Sequence, residues 1–521
     1  MLQIKKRSRA RLFGVAIAAV AVSASVLTVP SHAASDVLTI AATATPTSLD
    51  PMLQSVDQVN SMFINVAYDS LTRIDNKTGK IVPALATSWK YLDSSNELFE
   101  LTIRKNVKFS DGSPLTPTDV AASINYASAS GVNKAWLAGA TATANETAGT
   151  VTVKSPVPND SIPFSLSQRG HLGSVISSKA IATPAVLKTA TYGAGPYMLD
   201  PAQTVANSTY TFVPNPNYWQ PSRIKWDKII IKVVSDANAA LQAVQSGTAD
   251  LFSGNQPTAT AAKAAGLKVA TAPFGITGVQ IQDRAGTQVA ALKDLRVRQA
   301  MFYAIDRASI ANAVFGGFSS PLPGLLVSGF EGSKKVTDRT FQYNMSRAKT
   351  LMKLSGYPKG FSVNVSVPTA NNTHLAAQAI VASWAQLGIK ANLVTYTDLG
   401  QLTRDILAKK FEISVFNYGA LPTFTQSKSF FNGGITQFNA FGVNDERINS
   451  DLASAAAANT ERAKNDLYFR AWQRGQLDLA WITAIYLRDQ VTIYSDKRIS
   501  GVFINTKNPV VDLSWTVVPA N

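Results

Sequence analysis

The sequence predicts an α/β protein with two lobes, on three observations. Short apolar runs such as Val37–Ala42, Ile229–Val234 and Ile389–Val394 read as buried strands. They alternate with segments of helical apolar spacing, including Ser235–Gly247 and Asp294–Arg307. The alternation is renewed over 348–416, on a scale that suggests a second α/β lobe. A chain of 521 residues, 46% of them hydrophobic, is long enough for two or three domains with full cores.

Residues 1–33 read as a secretory signal. Lys5, Lys6, Arg7, Arg9 and Arg11 form a basic start, and Leu12–Val22 is an unbroken small and apolar run. Ser31-His32-Ala33 then gives small-x-small before a cleavage point. An uncleaved anchor is the alternative, but Ser23, Ser25 and Thr28 dilute the second half of the run. The mature chain is expected to be exported to the periplasm or cell envelope.

There is no cysteine. Structural disulfides, thiolate metal sites and thiol nucleophiles are therefore excluded. So is a lipid carried on cysteine, and the chain is not expected to be a lipoprotein. The formal charge of +16 falls to about +11 once the five basic residues of the signal leave. The remaining basic residues are scattered, with Lys334-Lys335 and Lys409-Lys410 as the densest pairs. Without aromatic interleaving this reads as a solvated surface, and no nucleic acid partner is expected.

Val37–Ala42 is the first strand, and Thr45-Pro-Thr-Ser-Leu-Asp-Pro51 breaks it with two prolines. A loop directly after a strand at the carboxyl edge of a sheet is a common place for ligand contacts, with an ordinary connection as the alternative. In Asn96–Arg104 the apolar residues Phe99, Leu101 and Ile103 share one face of a half-buried strand. Asp111-Gly112 turns the chain. Thr116 then caps a helix that has Pro117 at its first position, Asp119 completing a capping box, and Val120, Ile124 and Ala127 as its buried stripe. Turn and cap roles account for Asp111 and Asp119 without catalysis.

In the middle of the chain, Ser235 or Asp236 caps a helix carrying Ala239, Ala240, Ala243 and Val244, which Gly247 ends. Phe274–Ile281 reads as the first crossing into the second lobe. Asp294 caps the next helix, whose apolar face is Val297, Ala300, Met301, Ala304 and Ile305, with Arg296 and Arg298 lying away from it. Asp306-Arg307 opens another helix, closed at Gly316-Gly317. Helices follow over 348–357, 375–388 and 452–473, and strands over 389–394 and 411–416. Ala484–Tyr494 returns to the first lobe.

Several of these segments resemble one family. Pro83-Ala-Leu-Ala-Thr-Ser-Trp89 and Val107-Lys-Phe-Ser-Asp-Gly-Ser-Pro-Leu115 resemble the early signature of the family 5 extracytoplasmic solute-binding proteins, the dipeptide- and oligopeptide-type receptors of ABC importers. Tyr192-Gly-Ala-Gly-Pro-Tyr197, Asn215-Pro-Asn-Tyr-Trp219 and Asp294–Arg307 resemble later family elements. The resemblance covers nearly the whole mature chain. It implies a periplasmic-binding-protein-like fold of two lobes with hinge crossings and an extra N-terminal subdomain. The expected limits are 34–76 with 192–276 and 487–521 for the first lobe, 77–191 for the subdomain and 277–486 for the second lobe. It also implies a solute held between closing lobes, a monomer that delivers it to an ABC permease, and no cofactor.

The family's main ligand loop falls on Asn417-Tyr-Gly-Ala-Leu-Pro-Thr-Phe-Thr-Gln426. Many peptide-type relatives carry an aspartate there for the peptide's ammonium group. This chain has no acid from Phe416 to Phe431. An unpaired buried ammonium is costly, so either another acid substitutes or the solute has no free amine. The solute classes in view are a peptide, a sugar or another polar organic molecule. Expected contacts are Thr45, Asn417, Tyr418, Phe424, Phe438, Asn439 and Tyr486.

An enzyme reading finds little support. After the signal only His171 and His374 remain, without metal-ligand spacing, and both read as surface or loop histidines. No Gly-x-Ser-x-Gly elbow is present. A hydrolase using two distant carboxylates and an envelope sensor without a transporter are the alternatives.

Overall fold

The computed structural model describes residues 36–46, 48–137, 139–322, 324–333, 341–431 and 434–520. The expected signal and Lys334-Lys335 lie outside them. Its centre is an eleven-stranded sheet. Val37–Ala42 pairs in parallel with Lys228–Val233 on one side and Leu251–Gly254 on the other. Thr209–Pro214 and Tyr197–Leu199 extend that edge in antiparallel fashion.

Two long strands join the halves of this sheet. Lys268–Ile281 and Ile482–Tyr494 run antiparallel along nearly their whole length. Their outer portions, Lys268–Pro273 and Asp489–Tyr494, belong with Leu251–Gly254. Their inner portions, Gly275–Gln280 and Ile482–Arg488, carry Ile413–Gly419, beyond which lie Ser362–Pro368 and Lys390–Tyr396. The register slips between Pro273 and Gly275. Pro273 has no N–H to give the ladder, and a bulge bends and twists a strand locally. The change of direction is thus written at the point where one half of the sheet gives way to the other.

The apolar packing is not divided cleanly between the halves, since the larger cluster also takes in Ile276, Phe416 and Ile482 of the inner strands. Val279, Val297, Met301, Trp384, Ile413 and Val415 form one buried cluster around the inner strands. A larger cluster runs from Leu38 and Ile40 through Phe63, Phe99 and Phe212. Within it, a four-stranded antiparallel sheet orders Ala86–Tyr91, Leu98–Ile103, Thr150–Lys154 and Thr141–Asn145. The helix Pro117–Ser130 carries the expected capping box and buries Val120, Ile124 and Ala127. Among the described residues no helix is long and apolar enough to cross a membrane.

Packing overrides the local pattern in several places. The helix Leu295–Tyr303 is capped by Asp294 and buries its five expected apolar residues, two of them at its C-terminal end. Arg298 is buried as well, because its guanidinium donates to the carbonyls of Leu292, Lys293 and Leu479. Arg296 stays outside, paired with Asp294 at 2.6 Å. The helix Ala237–Gln245 turns Leu241 inward beside Ala240 and Val244, leaving Ala239 exposed. The expected helix 452–473 is two helices, Glu446–Ala456 and Glu461–Gln473, the second capped by Thr460. His171 is no surface histidine: it is 1% exposed, and its Nε2 lies 3.0 Å from the Ser61 hydroxyl.

Candidate functional site

The strand crossing opens a crevice whose walls come from both halves of the sheet. Thr43, Asp57, Gln58 and Asn255 line it from one half, Phe315, Asn371 and Asn372 from the other, and Arg488 and Asp489 from the crossing. Its volume is about 390 Å³. Asn371 and Asn372 both adopt the left-handed conformation, with φ of 54° and 56°, at the start of the helix Thr373–Ala385. Asparagine tolerates that region better than most residues. Burial pushes the Arg488 guanidinium down and the Asp489 carboxyl up from their ordinary ranges.

A second recess of about 520 Å³ lies between Ala135, Trp136 and Val157 of the N-terminal region and Tyr418, Ser429 and Phe438. The segment expected to be a ligand loop is largely regular. Asn417–Gly419 end the strand Ile413–Gly419, and Thr423–Phe431 is a helix. The short connection is tied to the crossing, where the Ala420 N–H donates to the Phe274 carbonyl at 2.7 Å.

Tyr418 and Phe438 come together in this recess. Their rings stand edge to face, with centroids 5.4 Å apart, and the Tyr418 hydroxyl lies 2.8 Å from that of Ser429. Burial raises the Tyr418 phenol to about 12. Asn417, the next residue on the strand, is half-buried on the opposite face, its Nδ2 3.5 Å from the Thr373 hydroxyl.

The other expected contacts point elsewhere. Thr45 spends its hydroxyl on Asn207 and Tyr210, at 3.2 and 3.0 Å. Phe424 turns from the Tyr418 recess into an apolar cluster with Ala455, Ala456 and Tyr468. Asn439 pins a turn by exchanging hydrogen bonds with the backbone of Val443. Tyr486 is fully buried in the inner cluster, edge-on to Phe315. Strand alternation accounts for this placement: Tyr486 and Arg488 share one face, but Tyr486 is deeper within the sheet and already covered.

Sequence reasoning missed Arg169 and Arg488. Arg169 is 1% exposed, and it lies against the first-half carbonyl of Val56, the ring of Phe274 and the end of the strand at Gly419. Burial lowers its guanidinium to about 10. His171 beside it is held down to about 3 by burial and by the Arg169 charge, so the imidazole is neutral. The visible signal was a lone arginine in the small, apolar stretch Phe164-Ser-Leu-Ser-Gln-Arg-Gly-His-Leu172. Among the described residues no cluster of His, Cys, Asp and Glu is arranged to hold a metal.

Comparison with known proteins fits this architecture. Residues 80–438 match the model of the bacterial extracellular solute-binding proteins, family 5 middle. The glutathione-binding protein GsiB of Salmonella typhi is 26% identical over 522 residues, covering 94% of this chain and 96% of the relative. The periplasmic binding protein AgaA from A. tumefaciens R10, solved with agropinic acid, superposes with a TM-score of 0.77 at 21% identity, over 93% of this chain and 99% of that one. DppA of Helicobacter pylori, solved with the peptide STSA, gives a TM-score of 0.75 at 19% identity, over 93% of this chain and 98% of that one. The match spans more than half of the sequence and includes the crossing strand Lys268–Ile281 and the Tyr418 segment, so the chain belongs to family 5 of the bacterial extracellular solute-binding proteins.

Proposed function

We propose that this chain is the receptor subunit of an ABC importer and captures a small polar organic solute where the two long strands cross. The observation that carries the reading is the crevice at Pro273–Gly275 and Arg488–Asp489, lined from both halves of the sheet. Contacts drawn from two lobes exist together only when the lobes are closed. A solute that binds the closed form better therefore shifts the population towards it. The closed, loaded form is what a permease would recognise.

In this reading Asn417, held toward Thr373 next to the Asn371–Asn372 wall, contacts the solute in the crevice, Tyr418 and Phe438 contact the part of it that reaches the second recess, and Thr45, Phe424, Asn439 and Tyr486 shape the walls that hold those contacts. The relatives' glutathione and peptide ligands support a peptide-like solute. The absence of any acid over 416–431 favours one without a free ammonium group at that loop. The receptor acts as an exported monomer, makes and breaks no bond, and has no cysteine on which to carry a lipid.

Native mass spectrometry of protein purified without denaturation should find a bound small molecule. Calorimetry should then show N-acetylated dipeptides binding at least as well as free ones. Tight binding of ordinary dipeptides that acetylation abolishes would overturn the amine-free assignment and point to Asp57 or Asp489 of the crevice as the partner of the ammonium group.

A further inference from the structure

We propose that the captured solute is an N-acylated amino acid or peptide whose apolar acyl chain lodges in a chamber beside the Tyr418 recess, with Lys428 donating to the acyl carbonyl; this rests on the solute being peptide-like and without a free ammonium group. The chamber has a volume of about 190 Å³. Val157 and Lys428 line both it and the recess, so the two spaces adjoin at those side chains. Its walls are mostly apolar. Leu452, Ala453 and Ala456 lie on one face of the helix Glu446–Ala456, the rings of Phe424 and Tyr468 stand around them, and Val157 covers them from the N-terminal half. Residues three and four apart share a helix face, and two alanines at that spacing leave space that larger side chains would fill. An apolar cavity of roughly 150 Å³ accommodates benzene, so this chamber has room for a phenyl group or a short alkyl chain.

A purely structural role leaves Lys428 unexplained. It is the only charged residue from Phe416 to Phe431. Among the described residues it has no hydrogen bond and no ion pair, only the Phe424 ring, whose centroid is 5.6 Å from its Nζ. Burial pushes its ammonium down from the ordinary range, and no carboxylate opposes that. The other polar side chains of the chamber are spent. The Ser427 hydroxyl donates to the Thr423 carbonyl at 2.6 Å and accepts from the Trp472 indole at 2.8 Å. The Tyr468 hydroxyl donates to Asp160, and the Asn449 amide donates to Asn444. Lys428 alone thus offers unused donors where recess and chamber meet, and an oxygen acceptor there offsets the cost of its burial. A carbonyl that bears an apolar chain puts the acceptor at the ammonium and the chain in the chamber behind it. A free amine at the same point would meet a like charge, in agreement with the lack of any acid on this segment.

Isothermal calorimetry of the ligand-stripped receptor with N-acetyl-, N-butanoyl- and N-hexanoyl-alanylalanine tests this. Ala453→Phe and Ala456→Leu fill the chamber from one helix face, Lys428→Met removes the donor, and the thermal midpoint of each unliganded variant shows whether it folds. A buried methylene contributes ~0.8 kcal/mol, about fourfold in affinity, so the hexanoyl probe should bind the unmutated receptor at least tenfold tighter than the acetyl probe. Ala453→Phe or Ala456→Leu should remove this dependence on chain length. Lys428→Met should weaken all three probes at least fivefold and keep the dependence. Equal affinity across the series in the unmutated receptor overturns the proposal and leaves solute capture standing, as does a length dependence that survives in both filled variants. Unchanged binding by Lys428→Met overturns the role given to the lysine. The unmutated series decides on the chamber even where a variant does not fold. Binding of none of the three probes would instead defeat the reading of a peptide-like solute without a free amine, and the proposal with it.

Discussion

Asp160→Asn should flatten the acid dependence of this protein's stability. Asp160 belongs to the N-terminal half and meets the helix Glu461–Gln473 across the seam. Lys464 Nζ lies 3.4 Å from its carboxylate, and the Tyr468 hydroxyl donates to it at 3.2 Å. Both side chains of the ion pair are largely covered, at 5% and 16% exposure. Burial, and then the nearby Glu331 charge, push the Asp160 carboxyl from 3.8 up to about 7 against the opposing pull of Lys464. A rise of roughly 3 units at 1.36 kcal/mol each bounds the effect at ~4 kcal/mol. The sign follows from linkage. A carboxyl raised in the folded form contributes stability that is fully present below its exposed value near 4, and loses it as the pH climbs through 7. The amide cannot ionise, so the variant should gain on the wild type steadily across that window. We expect about 2 kcal/mol at pH 8 and near zero at pH 4, allowing for the lost partner of Lys464. Urea unfolding of the unliganded protein at half-unit steps of pH measures it. Parallel profiles for variant and wild type from pH 4 to 8 would refute the reasoning.

Tyr418→Ala should weaken binding of the identified solute by roughly 5- to 150-fold, or about 1–3 kcal/mol, without altering the far-ultraviolet dichroism; an unchanged dissociation constant in calorimetry moves the solute away from this recess. Arg73→Met should cost about 3–5 kcal/mol of stability, because it strands the buried Asp69 and Asp512 carboxylates and strips the Trp515 face of its guanidinium; chemical denaturation reads the loss. Saturating solute should reduce the radius of gyration in small-angle scattering, since a ligand with equal affinity for open and closed forms would shift nothing.

Much of the architecture was legible in the order of residues. Local chemistry leaves local marks: Thr116 and Asp119 form the reciprocal cap their spacing announces, Asp294 and Asp306 cap where they should, and Phe99, Leu101 and Ile103 share a buried face. The Pro273–Gly275 irregularity sits where a glycine-rich strand pattern already suggested a crossing. These features depend on contacts within a few residues, or on a repeating exposure to one apolar surface.

The cleft was different, because its parts meet from distant places in the chain. Nothing near position 169 says that Val56, Phe274 and Gly419 will converge on that guanidinium. Nothing near 486 says that its ring will be covered by Phe315 and not by solute. Thr45 looked like a ligand contact by its place after the first strand, yet its hydroxyl was claimed by Tyr210 on a strand formed much later. The sequence by itself determined the α/β pattern, the caps, the family and the lack of an acid between 416 and 431. Only the tertiary structure decided which side chains face the cleft and that an arginine, in place of an acid, stands opposite Gly419. The physical reason is that burial and charge pairing are properties of surroundings, and the surroundings of each of these residues are assembled from segments more than a hundred positions apart.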